Sequence, residues 1–205
     1  MTKFDALLKQ LGACAEARQW AKGKSFADVW NTCERGDWLL WLCARMIGKD
    51  GWPTYKTIVL AACNCAELAL KHVKPGENRP RIAIETARKW TKGDATIEEV
   101  RTAADAADAA ADAADAAAAA AAYAAYAADA DAATAAAAAA YAADAADAAT
   151  AAAAAAAAYA ADAAYAAYAA YAAAAAATAA RIIARNQCAV IVRSTIPMPD
   201  FEVRQ

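Results

Sequence analysis

The sequence predicts an all-α protein, a multi-helix bundle with an extended alanine-rich helical C-terminal half. Three observations carry this. From Ala103 to Ala180 only Ala, Asp, Tyr and Thr occur, with 59 alanines among 78 residues and no Gly, Pro, Lys or Arg. Alanine has the highest helix propensity and the breakers are absent, so this stretch is helical. Before it, apolar residues recur three and four positions apart between Gly and Pro punctuation, and no segment sustains the alternation of a strand.

Phe4, Leu7, Leu8 and Leu11 share one helical face, and Gly12 closes that helix. A second helix spans about 13–22 before Gly23, and Ser25 caps a third from Phe26 to about Cys33. Asp37 is placed to cap the helix from Trp38 to Ile47, which ends at Gly48 and is apolar nearly all round, the pattern of a central core element. After the Gly51-Trp52-Pro53 turn, Thr54 opens a helix through Lys71 whose Ile58, Leu60, Ala61, Ala62, Cys65, Leu68 and Ala69 are core types. A loop at 75–80 leads to a short helix from Arg81 to Trp90, ended by Gly93, and Thr96 with Glu99 forms a capping box that opens the alanine block. The expected organisation is a Trp/Cys-containing domain at 1–95, an Ala/Asp/Tyr-rich region at 96–196 packed on it, and a tail at 197–205.

The decoration of the alanine block is periodic. Asp105, Tyr123, Tyr141 and Tyr159 lie 18 residues apart, as do Asp108, Tyr126, Asp144 and Asp162. At about 3.6 residues per turn, each set stands on one line of a continuous helix. Up to about Ala149 the opposite side is nearly pure alanine, which lets another helix approach closely and leaves Asp and Tyr at the margins. The marks at 162, 165, 168 and 171 instead walk around the axis by about 60° per step. An unbroken helix from Thr96 to about Ser194 would be roughly 150 Å long. A bundle with turns near 129–131 and 147–150 suits the core-like Arg181 to Val192 segment better.

The net charge of −2 hides an asymmetry: the Ala103–Ala180 block is −9 and the remainder +7. The two parts can match each other internally or offer a charged partner a docking face. A nine-Asp block disfavours nucleic acid, and recurring Asp with no long Leu/Ile/Val/Phe run disfavours a membrane span. Met1 to Leu11 lacks the pattern of a secretory signal, so the expected location is the cytoplasm and the six cysteines are expected as free, buried thiols. Cys63, Cys65 and His72 lack the paired spacings of a zinc module, and no metal is expected. With one histidine, no Gly-rich phosphate loop and no nucleophile elbow, neither catalysis nor a cofactor is expected.

Binding residues are therefore sought among charged and aromatic clusters. The Glu34 to Trp38 junction nominates Arg35, Asp37 and Trp38, with Trp41 one turn on. The basic cluster around Arg79 and Arg81, with Arg88 and Lys89 further along, can bind an anion or pair with the Asp-rich helix. The seven tyrosines Tyr123, Tyr126, Tyr141, Tyr159, Tyr165, Tyr168 and Tyr171 are the large side chains of the alanine block, suited to filling space in a bundle or to an adhesive stripe, and the first four are nominated for binding.

The runs Cys14 to Trp20, Trp30, Arg35 to Trp41, Cys63 to Leu70 and Arg79 to Gly93, taken in order, resemble the bacterial immunity proteins of the Imm-5 type, associated with polymorphic toxin systems. The resemblance covers roughly residues 10–102. It implies an all-α, non-enzymatic protein that neutralises a cognate protein toxin by sequestration. Two other classes suit the residues: a sequestering protein of phage or mobile-element origin that holds a small anionic, nucleotide-like signal, and a structural or ice-binding helix. Thr134, Thr150 and Thr178 lack the regular short repeat of the last. The partner expected is thus a protein toxin or a small anionic ligand, with no nucleic acid and no membrane.

Overall fold

The computed structural model describes residues 2–73, 75–111 and 166–201. Among these residues the chain forms eight α-helices and one 3₁₀ helix, with no strand. Helix α1 (Lys3–Gln10) opens on a capping box of Thr2 and Asp5. In α2 (Ala15–Ala21) the Cys14 sulfur accepts the Ala17 N–H at 3.4 Å, and α3 (Phe26–Thr32) has a second capping box from Ser25 and Asp28. Then follow α4 (Gly36–Arg45), α5 (Tyr55–Ala66) and the 3₁₀ helix Glu67–His72. Helix α6 (Arg79–Lys92) ends on Gly93 in the left-handed conformation, α7 (Ile97–Ala111) starts from the Thr96–Glu99 box, and α8 spans Ala166–Thr195.

Helix α4 ends at Arg45 rather than Ile47 and α6 runs to Lys92 rather than Trp90, and three further boundaries differ from expectation for local reasons. Asp37 does not cap α4. The helix begins two residues earlier, at Gly36, and the Asp37 carboxylate is taken by the Arg35 guanidinium. The helix from Thr54 stops at Ala66 and tightens into the 3₁₀ turn. Helix α6 starts at Arg79 rather than Arg81, because a proline in the first turn has no N–H to waste there.

Helix α5 lies at the centre and packs on α4, α6 and α8, while α7 packs on α6. Ile58, Val59, Ala61, Ala62, Cys63, Cys65 and Ala66 of α5 are all fully buried. In α7 the buried residues Val100, Ala103, Ala104 and Ala107 follow the i, i+3, i+4, i+7 rhythm, with Asp105 exposed on the other side. The alanine face thus packs and the aspartate faces water where the block begins. One buried cluster joins Phe4 of α1 to Ile196 beyond α8. The expected choice between rod and bundle turns on residues 112–165, which lie outside the described residues.

Helix α8 closes the bundle through several polar ties. Arg193 Nη1 donates to the Cys33 carbonyl at 2.7 Å and the Trp30 carbonyl at 3.3 Å, satisfying the C-terminal end of α3 with a cation. Asn64 Nδ2 donates to Thr195 Oγ1 at 3.1 Å, and its Oδ1 accepts from Arg88 Nη2 at 2.6 Å, while Arg88 also pairs with Glu67. The first residues of the tail fold back: Asp200 N–H donates to the Gly51 carbonyl, and the Phe201 ring meets Phe4 and Phe26 at 5.5 and 5.0 Å. All six cysteines are free; five are buried, but Cys14 is exposed, against the expectation of six buried thiols. Among the described residues no helix is long and apolar enough to cross a membrane.

Candidate functional site

A pocket of about 270 Å³ opens among α1 to α4. Its floor is Phe4 and Leu8 of α1 with Val29 and Leu39, and its facing walls are α2 and α4. The α2 side contributes its N-cap Cys14, the small Ala17 and Ala21, and Trp20, whereas α4 presents Trp38, Trp41 and Leu42. Space remains where the small Cys14, Ala17 and Ala21 line the same hollow as the Trp38 and Trp41 indoles, with Trp20 standing against Trp38. Trp20, Trp38 and Trp41 are each half-buried, so the pocket is bounded by rings that also reach the surface.

Beside it runs a polar groove of about 500 Å³, lined by Glu16, Lys24, Glu34, Arg35, Ile182, Arg185 and Asn186. Trp20, Cys33 and Trp38 line both hollows and form the wall between them. Trp20 and Trp38 stand with ring centroids 6.0 Å apart; Lys24 Nζ lies 3.4 Å over the first and Arg35 Cζ 4.5 Å over the second. Each cation is held on a ring face by its quadrupole.

Asp37 is the one carboxylate lining the pocket, and Arg35 covers it as a fork, with Nε to Oδ1 at 2.8 Å and Nη2 to Oδ2 at 2.5 Å. Arg35 Nη1 also stands 3.6 Å from Glu16. The Cys33 Sγ–H donates to the Arg35 carbonyl at 3.5 Å, and burial raises its thiol pKa. In the groove, Asn186 Oδ1 is buried without a hydrogen-bond partner among the described residues.

Of the expected site residues, the structure brings Arg35, Asp37, Trp38 and Trp41 together. Arg79 and Arg81 are exposed at the start of α6 and line neither hollow. Among the described residues Arg79 bonds Glu77, whose carboxyl it holds down at about 2, and Arg88 bonds Glu67; pairing with the Asp-rich stretch at 112–165 lies outside the described residues. Tyr123, Tyr126, Tyr141 and Tyr159 lie outside the described residues. Cys14, Ala17, Trp20, Lys24, Arg185 and Asn186 were missed. The signal for Ala17 and Trp20 was present, since Ala17 and Ala21 lie one turn apart beside Trp20. The α8 contribution depends on a long-range contact that no local pattern reveals.

Among the described residues no three His, Cys, Asp or Glu side chains are grouped to hold a metal ion. The pocket offers shape, aromatic surface and a neutralised ion pair, the equipment of a binding site. Comparisons with protein-family models, with curated proteins and with solved structures find no match to this chain.

Proposed function

We propose that this chain is an immunity-type binding protein that neutralises a cognate protein toxin by sequestration, docking it on the Trp20/Trp38 face. The observation that carries the reading is the adjacency of an apolar pocket and a groove of mixed charge across one tryptophan wall. Protein interfaces concentrate binding energy in a few desolvated Trp, Tyr and Arg residues within a polar rim. Arg35, Trp38 and Trp41 belong to the segment that resembles the Imm-5 type, whose implied role is the same.

The test is affinity capture from the source cells, with the bound material identified by mass spectrometry as protein and as small molecules. The expected result is a stoichiometric protein that is lost with Trp38→Ala and Arg35→Ala and kept with Arg81→Ala. Co-expression of that protein alone should then arrest growth, and addition of this chain should restore it. A second reading, sequestration of a small anionic ligand, is favoured by the cations Lys24, Arg35 and Arg185 beside two indole rings in the groove. A retained small molecule without a protein would replace the toxin reading with this one, and capture of neither would refute both.

A further inference from the structure

We infer that the Trp-walled pocket is the receptor for a single large, uncharged side chain of a protein partner, of the Leu, Met, Phe or Trp class. The inference rests on the protein-binding reading above and narrows what the partner must present. Size sets the first limit. An engineered apolar cavity of about 150 Å³ takes benzene; this pocket, at about 270 Å³, has room for a larger aliphatic or bicyclic group.

Charge sets the second. Asp37 is the only ionisable group lining the pocket apart from the thiols Cys14 and Cys33, and Arg35 holds both its oxygens. A cationic side chain would have to break that fork, and an anionic one would face Asp37 and an apolar wall; both lose their hydration for nothing. The rim selects the kind of molecule that carries the anchor. Lys24, Arg35 and Arg185 line the groove together with Glu16 and Glu34. A polypeptide surface with both signs matches such a rim, whereas a phosphate backbone or an anionic lipid layer would meet the two glutamates.

Cys14 supplies the readout: it lines the pocket and is the only exposed cysteine of the six. The full chain is alkylated with iodoacetamide in the presence of single N-acetyl amino-acid amides, and modification at Cys14 is followed by mass. The amides of Trp, Phe, Leu and Met should slow the reaction saturably, by about tenfold at about ten times their Kd. Those of Ala, Lys and Asp should leave it unchanged. Ala17→Phe, which grows a ring into the space, should slow Cys14 by itself and abolish further protection; Ala17→Leu is the milder variant if the first does not fold. Equal slowing by all the amides, or by none, overturns the anchor.

Partner capture with Ala17→Leu separates this inference from the one beneath it. If the apolar amides protect Cys14 but no partner is captured, the anchor pocket stands and the toxin reading fails. If the partner binds Ala17→Leu as it binds the unaltered chain, the sequestering role stands and the anchor is refuted.

Discussion

Gly36→Ala should destabilise the protein although it places a better helix former in a helix. Propensity alone favours alanine by about 1 kcal/mol in a helix interior, and by less in the first turn. Against this stands the approach of α8. A Cβ at Gly36 would lie 2.6 Å from the Cβ of Cys188, 2.7 Å from its carbonyl carbon and 2.8 Å from the Ala189 nitrogen. Carbon atoms rest at about 3.5–4.0 Å, so α4 and α8 must separate by about 1 Å, and such a gap forfeits up to about half of each contact's dispersion energy. The obstructing atoms include backbone, which no rotamer change relieves. Overpacking of this kind costs about 1–3 kcal/mol. Separation would also strain the Arg193 bonds to the Trp30 and Cys33 carbonyls, worth a further share of about 1.5–3 kcal/mol. The expected net loss is about 2–4 kcal/mol, or roughly 5–15 °C in Tm for a chain of this size. Urea and thermal unfolding followed by far-UV circular dichroism measure it. Gly48→Ala is the comparison: its φ is +80° with nothing within 4 Å of the added Cβ, so it should cost only about 1–2 kcal/mol of backbone strain. A Gly36→Ala protein that melts at or above the unaltered one would refute the close approach of α8.

Arg193→Leu should lower stability by about 1.5–3 kcal/mol in urea unfolding, because the end of α3 loses its charged donor, and Arg193→Lys should recover part of it. Alkylation of the native protein should modify Cys14 and spare the other five thiols until the protein unfolds, since burial raises the pKa of Cys33 and takes Cys63 to about 12; mass spectrometry counts the adducts. The capping carboxylates give an acid limb. The Thr2 N–H lowers the Asp5 pKa, the Ser25 hydroxyl that of Asp28, and the Thr96 N–H that of Glu99, from ordinary values of 3.8, 3.8 and 4.5. Their stabilisation is present above those unfolded values and is lost as pH falls through the lower folded ones. The urea midpoint should therefore hold from pH 7 to 5 and fall toward pH 3, and the triple variant Asp5→Asn, Asp28→Asn, Glu99→Gln should show a shallower fall.

What was legible in the sequence was local chemistry. Ser25, Thr54 and Thr96 mark helix starts because a hydroxyl accepts a neighbouring backbone N–H whatever the tertiary fold, and Gly12, Gly23 and Gly93 mark ends because only glycine enters the left-handed region without strain. Asp37 was misread for the converse reason. Its residue type suits a cap, but a stronger, charge-assisted partner in Arg35 takes the carboxylate, the helix starts at Gly36 with no side-chain cap, and α8 leaves no room for a side chain at that position. The partner of Arg88 was equally invisible, since Glu67 and Asn64 lie more than twenty positions away. Trp38 and Trp41 could be nominated from composition. That they face a pocket rather than fill it depends on the small Ala17 and Ala21 that line it with them, a spacing visible in the sequence whose meaning needs the packing of α2 on α4.

The same logic ties the candidate site to the far end of the chain. The pocket is built entirely from residues 4–42, yet the groove beside it borrows Ile182, Arg185 and Asn186 from α8. The placement of α8 depends on Gly36, which sits between the pocket-lining Asp37 and the groove-lining Arg35. Arg193 fixes the other side of the same junction, holding the carbonyl of Cys33, a residue that lines both hollows. A perturbation that shifts α8 should therefore alter the charged rim first and the apolar pocket less. Partner binding and stability are thus coupled through one short segment, Cys33 to Trp38, where the α3 end, the ion pair and the tryptophan wall meet.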